Sequence, residues 1–378
     1  MAPIRLGMVG GGNDAFIGAV HRIAARMDDR FELVAGALSS TPEKAAASAK
    51  ALGLARSYGC FEEMAEAEAA REDGIEAVAI VTPNHVHYPA SKPFLEKGIH
   101  VICDKPLTAT MEDAAAMEKV VADSDALFIL THNYTGYPMI RQARAMVEAG
   151  DLGHVRIVQV EYAQDWLTPP VETQGVKQAE WRTDPERSGA GGAVGDIGTH
   201  AYILANFVSG LKAESLAADL QGFGAGRTLD DNAHMMLRFA GGARGMLWCS
   251  QVVPGNENAL KLRVYGDKGG LEWAQEDPNY LWFTPLGEPK RLITRAGAGS
   301  ADALGAITRT PSGHPEGYLE GFANIYTEAA DAIRAVQGGT SREKAMGLLP
   351  GIAEGMAGMA FINASVTSSA QDAAWVTL

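Results

Sequence analysis

The sequence predicts an α/β protein in which a doubly wound parallel sheet is followed by an α+β domain with an open, largely antiparallel sheet. Before about residue 131, short apolar runs alternate with helical patterns, which is typical of parallel strands joined by helices. From about residue 155, longer segments alternate without intervening helices, which indicates antiparallel strands. The length of 378 residues fits two domains, which we assign to residues 1–131 and 132–378.

The first domain is predicted to contain five strands and five helices. The strand segments are rich in Val, Ile, Leu and Phe and are too short for stable helices. They are Ile4–Val9, Phe31–Leu38, Ala77–Val81, His100–Cys103 and Leu127–Thr131. The helical segments are mostly Ala-rich, and two of them follow good capping residues, Thr41 and Thr110. They are Gly18–Met27, Pro42–Leu52, Phe61–Ala70, Tyr88–Lys97 and Met111–Ala122.

The second domain is predicted from alternating strand segments that long loops interrupt. The strands are Val155–Ala163, Ala233–Phe239, Arg244–Val253, Leu260–Tyr265 and Tyr280–Phe283. The loops are 164–195, 221–231 and 295–317, and loops of that length are usually functional or mobile. From about Leu319 to Ser365 the pattern is helical again.

Composition excludes several classes of protein. Because 32 Lys and Arg face 46 Asp and Glu, the formal net charge is −14, which argues against nucleic acid or an anionic membrane as partner. No apolar run reaches the length of a membrane span and the start lacks a signal peptide, so we expect a cytoplasmic protein. The three cysteines are far apart in sequence, which indicates buried free thiols and no metal site.

A glycine-rich turn follows the first strand and leads into a helix. Glycines let the backbone approach a pyrophosphate, whose charge helix N-terminal amides then hold. We predict that Gly10, Gly12, Phe16 and Ile17 contact a dinucleotide, and that Gly18 takes the helix-packing position three residues late. A tight turn without a ligand is the alternative.

The end of the second strand carries no acid to bind the ribose hydroxyls of NAD. Ser39 and Ser40 stand there instead, with Lys44 a few residues on, and these groups suit a ribose phosphate. We therefore predict NAD or NADP as cofactor, with NADP favoured. The residues leave open that Thr41 only caps a helix and that Lys44 is a solvated charge.

The next two strands end where doubly wound sheets bind ligands. Thr82, Pro83, Asn84 and His87 follow the third strand, and Lys105 follows the fourth, where its charge would polarise a substrate hydroxyl. We predict that all five contact the cofactor. Taken alone, His87 is also compatible with a helix cap and Lys105 with a surface charge.

Asp196 and His200 lie four residues apart at the start of an apolar helical pattern in the second domain. This spacing predicts that both side chains lie on one helical face. A histidine is the usual proton acceptor at neutral pH, and a neighbouring acid orients it or binds substrate hydroxyls. The structural alternative is a cap at Asp196 and a core histidine at His200.

Several motifs, taken together and in this order, resemble the Gfo/Idh/MocA family of NAD(P)-dependent oxidoreductases. They are the glycine turn ending in Ile17-Gly18 with His21 and Ala24, Thr82-Pro83-Asn84-His85 with His87, Asp104-Lys105-Pro106-Leu107, and Gly195-Asp196 with His200. Glu180-Trp181-Arg182 and the stretch Gly313–Tyr318 are similar to the longer members.

The resemblance implies a Rossmann domain, an open-sheet second domain, and oxidation of a secondary hydroxyl of a sugar or cyclic, inositol-like polyol. By this resemblance Lys105 matches the family lysine, Asp196 and His200 match the acid and histidine that face the nicotinamide, and His87 matches a residue near that ring. The sequence departs from the family at Asp104, where Glu is usual, and in a glycine turn that is about three residues longer.

We therefore predict a dehydrogenase with His200 as general base, Lys105 as polariser of the oxygen or alternative base, and Asp196 as orienting group. Four further residues are candidates for lining the substrate pocket, with ordinary packing as the alternative: Tyr134, Trp166, Trp181 and Arg182. The rival functions are a redox-assisted glycosidase or lyase with tightly held NAD, and a non-catalytic cofactor-binding regulator. Apolar residues on both faces of the second sheet predict a homo-dimer or homo-tetramer.

Overall fold

The computed structural model describes residues 2–13 and 15–378, and these fall into two compact units. The first unit combines Met1–Asn133 with Tyr318–Met356, and the second combines Tyr134–Gly317 with Ala357–Leu378. The chain thus leaves the first unit after Asn133, returns after Gly317 and leaves again after Met356. The predicted division into 1–131 and 132–378 has a single boundary and does not contain this return.

Within the described part of the chain, six parallel strands form the sheet of the first unit. They are β1 (Ile4–Gly10), β2 (Phe31–Ala37), β3 (Arg56–Ser57), β4 (Ala77–Val81), β5 (His100–Cys103) and β6 (Phe128–Leu130). Their spatial order is β3-β2-β1-β4-β5-β6, so the sheet extends in opposite directions from β1 and β4. The predicted doubly wound sheet is confirmed, and its ligand crevice is expected at the carboxyl ends of β1 and β4.

Helices connect these strands. They are α1 (Phe16–Met27), α2 (Pro42–Ala51), α3 (Phe61–Ala69), α4 (His87–Glu96) and α5 (Met111–Asp123). All the strands and helices predicted for this region are present, with ends shifted by at most two residues. The strand β3 was not predicted, because two residues carry no periodic signal.

An open sheet organises the second unit, with nine strands among the described residues. They are β7 (Val155–Ala163), β8 (Ala213–Gln221), β9 (Asn232–Phe239), β10 (Arg244–Ser250), β11 (Ala259–Gly266), β12 (Gly269–Ala274), β13 (Tyr280–Pro285), β14 (Arg291–Thr294) and β15 (Val376–Thr377). The spatial order is β14-β13-β12-β11-β7-β10-β9-β8-β15. β7 and β10 run parallel and the other described neighbours run antiparallel, so the predicted sheet type is confirmed.

Among the described residues, four α-helices of the second unit precede β8 in the chain. They are α6 (Pro138–Glu148), α7 (Lys177–Arg182), α8 (Pro185–Ser188) and α9 (Thr199–Ser209). A π-helical turn, Val194–Gly198, leads directly into α9, which packs on β7 and β11. Along β10, Leu247 and Cys249 are buried while Met246 is exposed, as the two-residue repeat of a strand requires.

The predicted loops are more structured than the sequence indicates. The loop 164–195 contains α7 and α8, and the loop 221–231 is shortened by β8, which was not predicted. The strands β12 and β14 were not predicted either, because four to six residues with glycines or charges give a weak alternation. Short 3₁₀-helices occur at Asn84–Val86, Asn133–Gly136, Val171–Gln174, Ala240–Gly242 and Asp302–Ile307.

Three helices precede the terminal strand β15: α10 (Tyr318–Gln337), α11 (Arg342–Met346) and α12 (Ile352–Ala370). α10 packs against α1 and places Phe322, Ile325 and Tyr326 in the core of the first unit. The Tyr326 hydroxyl lies 2.8 Å from Nδ1 of His21, and its ring lies 5.4 Å from that of Phe31. The burial of these side chains explains why the chain returns to the first unit. Apolar periodicity predicts a helix here but does not show which core the helix joins, so the sequence does not predict the return.

The cysteines are free thiols in the structure. Cys103 and Cys249 are buried as predicted, but Cys60 is exposed at the start of α3, where its sulfur accepts the N–H of Glu63 at 3.5 Å.

None of the helices in the described residues combines the length and apolar character needed to cross a membrane.

Candidate active site

Two glycines, one at the start of the turn after β1 and one in α1, leave no room for a side chain. Gly10 has a φ of +74°, and a Cβ on it would lie 2.3 Å from the carbonyl oxygen of Val81. A Cβ on Gly18 would lie 2.4 Å from the carbonyl oxygen of Gly11, so the start of α1 packs directly against the turn. Gly18 therefore takes the helix-packing position that the sequence predicts, although the turn is long.

A dinucleotide phosphate fits this turn. α1 begins after Ala15, whose side chain cannot accept a hydrogen bond, and its described first turn contains no acidic residue. The amide groups there favour an anion. In the described part of the chain the Thr82 hydroxyl is buried beside Gly10 without a hydrogen-bond partner. The Thr82 hydroxyl and the first amide groups of α1 are thus both available to a phosphate at this turn.

The end of β2 lies next to the same turn. A Cβ on Gly12 would lie 2.8 Å from the carbonyl oxygen of Leu38, which shows how closely the two segments approach. Ser39 is half-buried and its hydroxyl accepts the N–H of Thr41 at 3.2 Å, whereas Ser40 and Lys44 are exposed. Thr41 occupies the cap position of α2 without a side-chain cap bond.

His87 is fully buried at the start of α4. Its Nδ1 lies 2.8 Å from the carbonyl oxygen of Pro106 and its Nε2 lies 3.0 Å from that of Thr82. Burial lowers its pKa, although the charge of Asp104 opposes this. The sequence predicts His87 beside the nicotinamide. In the structure both nitrogens of the ring face backbone oxygens, so the ring joins the turn after β4 to the turn after β5, and its place beside the nicotinamide stays a prediction.

Lys105 is half-buried and follows Asp104, whose side chain is 15% exposed. The backbone N–H of Lys105 donates to Oδ1 of Asp104 at 2.9 Å, and the Thr131 hydroxyl donates to the same oxygen at 3.0 Å. Nε2 of His21 lies 3.9 Å from that oxygen. Burial alone would raise the pKa of Asp104, but His21 and Lys105 outweigh it and hold this pKa well below its usual range. An ionised Asp104 therefore accompanies the lysine.

Sequence reasoning missed His132, which follows β6 at the same sheet edge. Burial lowers its pKa to about 3, with the charge of Lys105 acting in the same direction and that of Asp104 opposing. A neutral imidazole thus lies within the field of the Lys105 ammonium group. Its place just after a predicted strand was the signal available.

In the second unit, Asp196 lies in the π-helical turn Val194–Gly198. Its Oδ2 accepts from Nε of Arg182 at 3.2 Å and from Nε2 of Gln251 at 2.9 Å. π-Helical turns are frequent at functional sites. The sequence predicts Asp196 and His200 on one face of a single α-helix. In the structure the two residues do not share one α-helix, because Asp196 lies in the π-helical turn and His200 in α9, which begins at Thr199.

His200 is buried among aromatic rings. Its ring centroid lies 4.9 Å from that of Tyr134 and 6.3 Å from that of Tyr162, and the two tyrosine hydroxyls are 2.6 Å apart. Burial raises the pKa of Tyr134, Asp196 adds to the rise, and hydrogen bonds with Tyr162 and Asn258 oppose it. Tyr134 is therefore protonated at neutral pH beside the predicted base.

Side-chain amides connect Asp196 to these tyrosines. Nε2 of Gln251 also donates to Oε1 of Gln164 at 3.4 Å. Nε2 of Gln164 in turn donates to Oδ1 of Asn258 at 2.8 Å. The Tyr162 hydroxyl donates to that oxygen at 2.8 Å. Sequence reasoning missed the three amides. Gln164 and Gln251 directly follow β7 and β10, and this shared position at the ends of parallel neighbours was the signal available.

The predicted pocket residues join the same network. The indole N–H of Trp166 donates to Oε1 of Gln164 at 3.0 Å, and the guanidinium of Arg182 lies 4.3 Å from the ring centroid of Trp181. Of the residues that the structure describes, no three or more His, Cys, Asp and Glu side chains are grouped as metal ligands.

Comparisons with known proteins match both units. A family model described as "Oxidoreductase family, NAD-binding Rossmann fold" matches residues 4–132, and "GFO/IDH/MocA C-terminal domain" matches residues 140–272. An oxidoreductase structure from Sinorhizobium meliloti is 61% identical, with a TM-score of 0.90 and 100% of both chains covered.

Two further relatives carry more specific names. An inositol dehydrogenase homolog complexed with NAD⁺ from Azotobacter vinelandii is 36% identical, with a TM-score of 0.95, covering 100% of this chain and 97% of that one. Levoglucosan dehydrogenase from Pseudarthrobacter phenanthrenivorans is 26% identical over 100% of this chain and 98% of its own.

The fold and the glycine turn thus define an NAD-binding oxidoreductase with a Rossmann unit. The chain belongs to the Gfo/Idh/MocA family. The family membership, the nicotinamide dinucleotide cofactor and the enzyme class predicted from the motifs are confirmed.

Proposed function

We propose that the protein is an NAD(P)-dependent dehydrogenase that transfers hydride between a secondary hydroxyl of a sugar or cyclic, inositol-like polyol and the nicotinamide. The observation that carries this is the connected set of hydrogen-bonding side chains around Asp196: Arg182, Gln251, Gln164, Trp166 and Asn258. Donors and acceptors in such number suit a ligand with many hydroxyls. The inositol and levoglucosan names of the similar proteins support the same class.

The dinucleotide, when bound, supplies the hydride acceptor. The residues that hold it follow the strands of the first sheet: Gly10, Gly12, Phe16, Ile17, Ser39, Ser40, Lys44, Thr82, Pro83 and Asn84. In the proposed reaction His200 accepts the hydroxyl proton, and Lys105 places its positive charge next to the substrate oxygen. The alternative is that Lys105 itself is the base. Asp196 orients the substrate, because Arg182 and Gln251 fix one oxygen of its carboxylate.

A screen of polyols and sugars against NAD and NADP tests the proposal, with the absorbance of reduced nicotinamide as readout. We expect at least one cyclic polyol or sugar to give reduced cofactor and a ketone product by mass spectrometry. A cleaved or eliminated product without net cofactor reduction indicates the redox-assisted glycosidase or lyase. Absence of turnover with every compound contradicts the proposal.

Cofactor preference is tested at Ser39. We expect the wild-type protein to bind NADP at least as tightly as NAD, and Ser39→Asp to shift the preference towards NAD. A carboxylate repels the ribose phosphate and accepts from the free hydroxyls. Fluorescence titration measures both dissociation constants. Ser341→Asp is the control, since it adds the same charge at the cap of α11. A wild-type protein with strong NAD preference refutes the role of Ser39 and Lys44.

We further propose that a second copy covers the exposed face of the second sheet. Met236 and Met246 stand opposite each other on β9 and β10 and are 55% and 51% exposed, and Ile157 on β7 is 44% exposed. Exposed apolar clusters of this kind mark interfaces. Light scattering is expected to give a multiple of the 39.9 kDa chain mass, and Met236→Asp combined with Met246→Asp to reduce it. A wild-type monomer at micromolar concentration contradicts this proposal.

A further inference from the structure

Asp230 fastens the backbone that leads into the π-helical turn of Asp196. Its Oδ1 accepts the N–H of Gly192 at 2.7 Å and its Oδ2 accepts the N–H of Val194 at 2.8 Å. Its carbonyl oxygen accepts the N–H of Ala193 at 2.8 Å. One residue therefore holds three consecutive N–H groups, and the last of them lies two residues before Asp196.

The fit between the two segments is close. A Cβ on Gly192 would lie 2.0 Å from the carbonyl oxygen of Asp230, so this position requires glycine. Burial raises the pKa of Asp230 to about 6, the N–H groups of Val194 and Gly192 oppose the rise, and the charge of Asp231 adds to it. Above that pH the carboxylate is ionised and accepts both N–H groups.

The next residue, Asp231, is connected to Asp196 through Gln251. Its carbonyl oxygen accepts the N–H of Gln251 at 2.8 Å, and the side chain of Gln251 donates to Asp196. The Asp231 carboxylate is buried, where it binds the guanidinium of Arg227 at 3.0 Å and two N–H groups of the preceding loop. The pair thus connects to Asp196 through the π-helical turn and through Gln251.

We propose that Asp230, supported by Asp231, is a positioning residue that sets the carboxylate of Asp196 for the substrate. This inference rests on the proposed function, in which Asp196 orients the substrate. Productive geometry requires reacting groups to be held closely, and a misplacement of about 1 Å costs roughly 10²-fold in rate. The three bonds to residues 192–194 restrict such displacement, because they fix the backbone at the entry to the turn.

The test is Asp230→Asn, with Asp151→Asn in an exposed turn of the same unit as control. Asparagine keeps the shape, but its NH₂ group faces a backbone N–H, so one of the two carboxylate bonds is lost. We expect kcat with the polyol to fall about 10-fold or more, while the KM and dissociation constant for the dinucleotide stay unchanged. Hydrogen exchange should accelerate at the amides of residues 192–198. The control variant should change neither kcat nor this hydrogen exchange.

Gly192→Ala disrupts the same contact from the opposite segment and carries the test if Asp230→Asn does not fold. The double variant should be no slower than the slower single variant, because both changes weaken the same attachment of residues 192–194 to Asp230. Normal kcat with a lower unfolding temperature, or unchanged exchange at 192–198, overturns the proposal and leaves Asp230 a purely structural role. A wild-type protein without dehydrogenase activity refutes the proposed function instead. The comparison of hydrogen exchange then still tests whether Asp230 fixes the backbone of residues 192–194.

Discussion

Replacing His200 by alanine is expected to lower kcat by about 10²-fold or more, because general-base catalysis typically contributes roughly 10²–10⁴. The dissociation constant of the dinucleotide should stay near its wild-type value, since the residues predicted to bind it lie in the first unit and His200 lies in the second. Steady-state rates and fluorescence titration measure the two quantities. Added imidazole is expected to restore part of the lost rate, because it supplies the missing proton acceptor.

The matched control is His154→Ala, an exposed histidine of the same unit, which should leave kcat unchanged. The packing of His200 against Tyr134 defines the competing outcome. If the ring only fills space, His200→Ala will lower the free energy of unfolding by about 1–3 kcal/mol and leave the kcat of the folded fraction intact. That result would remove His200 from the mechanism.

Lys105→Met is expected to lower kcat by roughly 10²-fold, since it removes a charge that stabilises the developing alkoxide. Methionine keeps much of the side chain's length, so cofactor binding should persist. Lys92→Met, at an exposed position of α4, is the control and should have a normal rate. A Lys105→Met protein with near-normal turnover contradicts any role for this residue in hydride transfer.

Lys105→Arg separates the two roles that Lys105 can have. Arginine keeps the positive charge but does not lose its proton in proteins, so it can polarise an oxygen and cannot act as a base. If Lys105 polarises the oxygen, Lys105→Arg should retain much more activity than Lys105→Met. Equal losses in the two variants would assign the base role to Lys105 and displace His200 from it.

The first unit follows from local sequence patterns because its sheet is buried on both faces. Strands such as Ala77–Val81 and His100–Cys103 read as continuous apolar runs between helices, and the structure places both where predicted. The glycine turn is equally local. By contrast, the burial of His87 depends on carbonyl oxygens of two different turns, and no periodicity encodes that arrangement.

The site of the second unit was only partly predictable for the same reason. Asp196 and His200 were found through a family motif, but Gln251 contacts Asp196 from 55 positions away in the chain. Asp230 contacts backbone N–H groups rather than a recognisable side-chain partner, so its type and spacing give no sign of its role. Such pairings become visible only when the strand order brings distant segments together.

The return of the chain at Tyr318 also limits how this gene can recombine. His21 and Tyr326 share one buried hydrogen bond although 305 positions separate them, so the nucleotide-binding half is not one uninterrupted stretch of coding sequence. A crossover at residue 131 would combine the sheet of one parent with the α10 of another and disturb that core. An exchange confined to residues 134–317 keeps both partners from a single parent. Shuffling among relatives should therefore yield folded nucleotide-binding units far more often with two breakpoints than with one.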